Sequence, residues 1–397
     1  MGNASITMKL PQGFRDEFGL EAEQKQALSE SIVHCLQQRG YKRINTPLVE
    51  YEEVFDDYEM KNQQSMYRFL NSDNRMLVLR PDLTLPIARF LATNNVSVPQ
   101  RFYYLGELLA STPEHVGQVN QVTQAGIELV GYASTRAEME CLWLINQFNQ
   151  SLFDNLLYIE LGDATFADVL LQSVVSDEKE RKAVKAALFA KNIPVYKRLI
   201  ERYKNSEFYG FLDNWPFLFG PAEEIRAILR QVTLPIEAMR IARDVLQLAK
   251  QVSALPGQAV RIDLSSEPPQ SYYTGITFRA YLNGVSSYVI SGGRYDKLLN
   301  NFQSEPEKAV GMGIDIDVLA QAMDRRSPVV PRTLVFYADE QWPEAAKLLA
   351  ENPTYSLAIA DDLCTARRCA KRQNAAMSFC PLKSNSPSFC SCMFQKA

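Results

Sequence analysis

The run "SYYTGITFRAYLNGVSSYVISGGRYD", residues 271–296, decides how this 397-residue chain reads. Two strand-like stretches flank Asn283-Gly284, and an N-G dipeptide between such stretches predicts an antiparallel hairpin. A further Gly-bearing strand running into a helix follows in "AVGMGIDIDVLAQAM". Upstream, "RFYYLGE" and "AGIELVG" read as two strands joined by a loop over residues 101–131. Strands paired through hairpins, with helices between them, predict an α+β domain on an antiparallel sheet.

Working outward, residues 18–38 place apolar side chains at 20, 27, 28, 32, 35 and 36, a helical face stopped by Gly40. "YKRINTPLVEY" is strand-like, but Pro47 cannot donate to a ladder, so an edge or interface strand is expected. "YRFLNSDNRMLVLRPDLTLPIARFLA" reads as a hairpin over S-D-N, a "RPDLT" turn, and a helix beginning near Pro86. "STRAEMECLWLINQFNQSL" is amphipathic. From about 176 to 255 charged helices interrupt the strand pattern, which resumes at "QAVRIDLSS". This predicts a core over 1–325 with a helical insertion at about 176–255. A small α/β unit over 326–362 follows, and then an irregular Cys-rich tail, 363–397, that does not read as a folded native extension.

Composition narrows the function classes. Hydrophobic and charged contents of 46% and 22% are those of a globular protein, and a net charge of −4 argues against a nucleic-acid surface. No stretch approaches a membrane span, and "MGNASITMKLPQG" lacks signal-peptide features, with Ile6 where myristoylation needs Ser or Thr. The cytoplasm is the expected location. Cys35 and Cys141 fall in helical patterns, whereas Cys364, Cys369, Cys380, Cys390 and Cys392 crowd the tail without histidines or zinc spacing. His34 and His115 lack partners for catalysis, and no Walker loop or nucleophile–base motif is present. No metal or cofactor is expected.

The Pro-bearing motif near 47, "RPDLT", the paired strands at 101–131, "SYYTG", "GGRYD" and "VGMGI" occur in an order that resembles the histidyl-tRNA synthetase class II core, over about residues 10–325. That resemblance implies a mostly antiparallel sheet flanked by helices, dimerised through the motif around Pro47. It also implies a histidine pocket at Asp82, Thr84, Gln124, Glu128, Tyr272 and Tyr273, with Arg80 and Arg294 steering the ligand carboxylate. Carboxylates suit an ammonium and a ring N–H, and an aromatic wall packs on imidazole.

The sequence departs from that family where the triphosphate would lie. Phe102–Thr135 contains no lysine or arginine. The family's motif-two arginine and glutamate fall on Ala110 and Thr112, and its loop arginines on Gln118 and Asn120. Ile316 stands where its motif-three arginine would be, and Pro268 at the arginine before the tyrosine pair. Removing one preorganised charged donor costs about 3 kcal/mol of transition-state stabilisation, so several losses should abolish adenylation. A kept amino-acid pocket beside a lost triphosphate site resembles the regulatory subunits of ATP phosphoribosyltransferase. Those are catalytically silent paralogues that pair with a short-form catalytic subunit, typically as a hetero-octamer, and mediate histidine feedback. The alternatives are a histidyl-tRNA synthetase or an ATP-dependent histidine ligase with divergent motifs. Each pocket residue also has a plainer reading. Asp82 could cap the next helix, the tyrosines could be ordinary strand residues, Gln124 and Glu128 a solvated face, and "SGGRYD" a tight turn.

Overall fold

A computed structural model describes residues 9–55, 66–94, 96–110, 119–298, 307–323, 333–372 and 375–379. The chain forms two compact units, Met1–Arg325 and Arg326–Ala397.

The first unit is built on a nine-stranded sheet. Its spatial order is Lys42–Arg43, Gln100–Leu109, Gln121–Val130, Ala309–Asp315, Tyr288–Arg294, Ile276–Leu282, Leu157–Asp163, Ala259–Asp263 and Phe219–Gly220. Adjacent strands pair antiparallel except at two places, 42–43 with 102–103 and 158–161 with 259–262. The N-G hairpin forms as expected, with Gly284 at φ 87° and the Val285 N–H donating to the Leu282 carbonyl at 3.0 Å. Its ladder resumes only at Tyr288, so the connection is longer than a two-residue turn, and the register shifts at Ala280/Tyr281.

Strand alternation gives the sheet two differently clothed faces. Ala125, Ile127 and Leu129 pack with Leu28, Ile32 and Leu36 of helix Leu20–Gln38 and with Leu142, Ile145 and Phe148 of helix Arg136–Leu152 in the larger core. Phe102, Tyr104 and Val130 face the other way. They pack beneath Leu85, Ile87, Ala88 and Leu91 of helix Thr84–Asn94, together with Tyr272 and Tyr295. The second face holds the candidate site.

The insertion contains helices Glu178–Phe189, Ile193–Ile200, Tyr209–Asn214, Ala222–Leu229 and Ile236–Val252. It also supplies the edge strand Phe219–Gly220, which the helical pattern did not announce. The Pro47 segment is not a continuous strand. Lys42–Arg43 joins the main sheet, whereas Val49–Tyr51 joins a separate three-stranded sheet with Met76–Leu79 and Arg68–Leu70.

The second unit has parallel strands in the order Tyr355–Leu357, Thr333–Phe336, Ala376–Phe379, with helices Trp342–Glu351 and Leu363–Arg372. Irregular chain was expected from residue 363, and the structure corrects this at helix Leu363–Arg372 and strand Ala376–Phe379. The buried stripe of Leu363–Arg372 is Ala366 and Ala370, four residues apart. Two alanines make a faint periodic signal, which the surrounding Cys and Arg residues hid. Residues 380–397, with Cys380, Cys390 and Cys392, lie outside the described residues.

Candidate functional site

Glu128 is the centre of the site. It lies mid-strand on the second face and is 1% exposed. One carboxylate oxygen accepts from the Thr84 hydroxyl at 2.8 Å, and the other from the Tyr295 hydroxyl. Its room comes from the neighbouring strand. Gly311 pairs with Glu128, and a Cβ there would sit 1.8 Å from Oε2. That is the physical content of the glycine in "VGMGI". Burial pushes the Glu128 carboxyl up to about 8, with the nearby Asp82 adding to this and the Tyr295 and Thr84 hydroxyls pulling it back.

Asp82 does two things at once. Its Oδ1 accepts the Leu85 N–H at 2.8 Å, capping helix Thr84–Asn94, so the capping reading holds. Its Oδ2 faces the Tyr272 hydroxyl at 3.4 Å, so the cap leaves one oxygen turned into the site. Burial raises this carboxyl as well, opposed by the Leu85 and Thr84 N–H groups and the Tyr272 hydroxyl. Gln124 accepts from the Tyr104 hydroxyl at 2.9 Å, and a Cβ on Gly313, diagonally across on the neighbouring strand, would come within 2.8 Å of its amide. Tyr272 and Tyr273 meet edge-on at 5.1 Å, and Tyr272 meets Tyr295 at 5.9 Å.

The structure thus places Thr84 against Glu128, Asp82 against Tyr272, and the tyrosine pair beside Tyr295. Gln124 stands four residues before Glu128 on the same strand. Tyr295 and Tyr104 were missed in sequence. Tyr295 sat in view inside "GGRYD", but its partner Glu128 is 167 residues away along the chain.

Two residues require correction. The Arg80 guanidinium donates to the carbonyls of Glu107 at 2.8 Å, Thr46 at 2.5 Å and Pro47 at 3.3 Å, tying the Pro-bearing segment to the sheet. Arg294 grips Glu138 through two bonds of 2.6 and 2.7 Å and also reaches the Tyr132 and Ser134 carbonyls and Asp296. Both guanidiniums are spent on architecture rather than aimed at a ligand.

The positions matched to a triphosphate site are of another kind. Ala110 is buried, and its N–H donates to the Asn120 carbonyl at 2.9 Å. The Asn120 amide donates to the Gln12 carbonyl at 3.1 Å and the Tyr67 hydroxyl at 3.0 Å. Ile316 is fully buried in the larger core, at the first position of a helix capped by Asp315. Pro268 lines a cleft beside the tyrosine pair. Thr112 and Gln118 lie outside the described residues. Among the described residues no group of His, Cys, Asp and Glu is arranged to hold a metal ion.

A family model for histidyl-tRNA synthetase matches residues 13–319. The ATP phosphoribosyltransferase regulatory subunit of Lactiplantibacillus plantarum is 46% identical over 370 residues, 93% of this chain and 96% of that one. That of Limosilactobacillus fermentum is 45% identical over 361 residues, 90% and 93% of the two chains. The chain belongs to the ATP phosphoribosyltransferase regulatory subunit family. Its fold is the class II, histidyl-tRNA synthetase-like α+β fold. A solved ATP phosphoribosyltransferase regulatory subunit/histidyl-tRNA synthetase from Bacillus halodurans superposes with a TM-score of 0.81 at 25% identity, covering 94% of this chain and 98% of that one. Histidyl-tRNA synthetase from Nostoc superposes at 0.75 with 19% identity, over 93% and 90%, a likeness of fold alone. Among the described residues no helix is long and apolar enough to cross a membrane.

Proposed function

We propose that this chain is a non-catalytic regulatory subunit of an ATP phosphoribosyltransferase that binds L-histidine between Asp82, Thr84, Gln124, Glu128, Tyr272 and Tyr273. The observation that carries the reading is Glu128, a buried carboxylate held by two hydroxyls beneath a wall of phenols. A buried carboxylate is costly without a cationic partner, and a ligand's ammonium or ring N–H supplies one. The apolar and amide side chains at Ala110, Asn120, Ile316 and Pro268 support a chain that does not activate the amino acid with ATP, because none of them can neutralise phosphate.

In this reading a short-form catalytic subunit depends on this chain for activity, in a hetero-octamer, and bound histidine suppresses that activity. Pairing of two copies through the motif around Pro47 is supported by exposed Leu48, Val49, Tyr51, Phe69, Leu70 and Met76 on or beside the small sheet. The net charge of −4 supports a chain that works without tRNA, and the cytoplasm is its proposed location. The alternatives, a histidyl-tRNA synthetase and an ATP-dependent histidine ligase, both need ATP to bind. The test is ATP phosphoribosyltransferase activity of the cognate catalytic subunit, with and without this chain, across a histidine titration. Activity that appears only with the chain and falls with histidine is expected. Activity indifferent to the chain would overturn the reading.

A further inference from the structure

An amino acid presents three groups to its pocket, and the residues above account for the ammonium and the side chain only. Arg80 and Arg294, the cations matched to the carboxylate, are held by backbone carbonyls and by Glu138. The carboxylate therefore needs another partner.

A cleft of about 970 Å³ opens from the tyrosine pair; its charged lining is Lys182, Lys185 and Lys297 with Asp168 and Glu267. Two of these lysines are already engaged. Lys182 Nζ lies 2.7 Å from Glu178, and Lys185 Nζ lies 2.6 Å from Asp168. Lys297 is exposed and forms no ion pair among the described residues. Its place in the chain matters as well. It stands two residues after Tyr295, whose hydroxyl holds Glu128, so one turn serves both the pocket floor and the cleft.

The ligand's own covalent structure sets the direction. Ammonium and carboxylate share a single carbon, so with the ammonium at Asp82 the carboxylate stays close by, and Tyr272, which faces Asp82, also walls the cleft. An ammonium on a flexible four-carbon stem suits a carboxylate at such a mouth, where reach matters more than a fixed fork. We propose that Lys297 is the specificity residue that binds the ligand's α-carboxylate, selecting a free amino acid over its decarboxylated or reduced analogues. This rests on the histidine reading of the pocket.

Calorimetric titration of the full chain with L-histidine, L-histidinol and histamine tests it. The last two lack the carboxylate. Wild type should bind histidine about tenfold more tightly than histidinol, the size of one charge-assisted contact. Lys297→Met should erase that preference by weakening histidine alone, while Lys182→Met keeps it. A Lys297→Met protein that retains the preference, or that weakens all three ligands equally, would overturn the assignment and leave the pocket reading standing. Failure of wild type to bind both histidine and histidinol would instead remove the pocket reading, and the role of Lys297 with it.

Discussion

The proposed amino-acid end of this site and the positions matched to a phosphate end are made of different chemistry. At the first, Glu128, Asp82 and Gln124 are buried or half-buried polar groups, each matched to a hydroxyl or an N–H. At the second, Ile316 lies in the apolar core and Asn120 is tied to the Gln12 carbonyl. In the proposed reading, holding an amino acid and activating it rest on separate side chains, so one ability can persist without the other. A regulatory role needs only the first, provided that binding shifts a state the partner senses, for which coupling of about 1–3 kcal/mol suffices.

The sharpest way to break the comparison is to put the missing charge back. Ile316→Arg should not restore ATP binding. It should destabilise the first unit by about 3–5 kcal/mol, because the guanidinium would enter a closed apolar core without a partner. The urea midpoint reads this, and a stable, ATP-binding variant would show the phosphate end to be merely dormant. At the other end, Glu128→Ala should weaken histidine by roughly a hundredfold, about 3 kcal/mol, measured by calorimetry. Unchanged affinity would move the ligand elsewhere. Gly311→Ala tests the same carboxylate without touching it. The added methyl overlaps Glu128 Oε2, so about 1–3 kcal/mol of stability should be lost, and histidine affinity with it.

The same carboxyl also predicts a pH dependence. Glu128 is raised from its ordinary value near 4.5 to about 8, so the folded, ligand-free chain holds this proton more firmly than the unfolded chain does. Its contribution should therefore make stability fall as pH rises from about 4.5 to about 8, and level off above that. Denaturation midpoints across this window should slope less steeply in Glu128→Gln. Equal slopes would mean that the carboxylate is better solvated than its surroundings imply.

Much of this was legible in the sequence because the signals were local. The N-G hairpin, the helix stopped at Gly40 and the helix launched from "RPDLT" depend on residues close together in the chain. Glu128 could be assigned to the face opposite Ile127 and Leu129 from alternation alone. Contacts across long separations were not legible. Whether Arg294 would meet a ligand or Glu138 depends on a helix 156 residues earlier, and Arg80 ends on carbonyls that carry no side-chain signature. The alanine stripe of Leu363–Arg372 was missed for another reason, since small residues bury well while contributing little to a hydrophobic pattern.

The separation of the two ends can be tested most directly by titrating the wild-type chain in parallel with L-histidine and with ATP and magnesium. Saturable histidine binding at one site per chain, with no heat from ATP and no pyrophosphate exchange, is the predicted result. ATP binding or histidine-dependent exchange would contradict it, and would return the chain to the activating enzymes whose fold it shares.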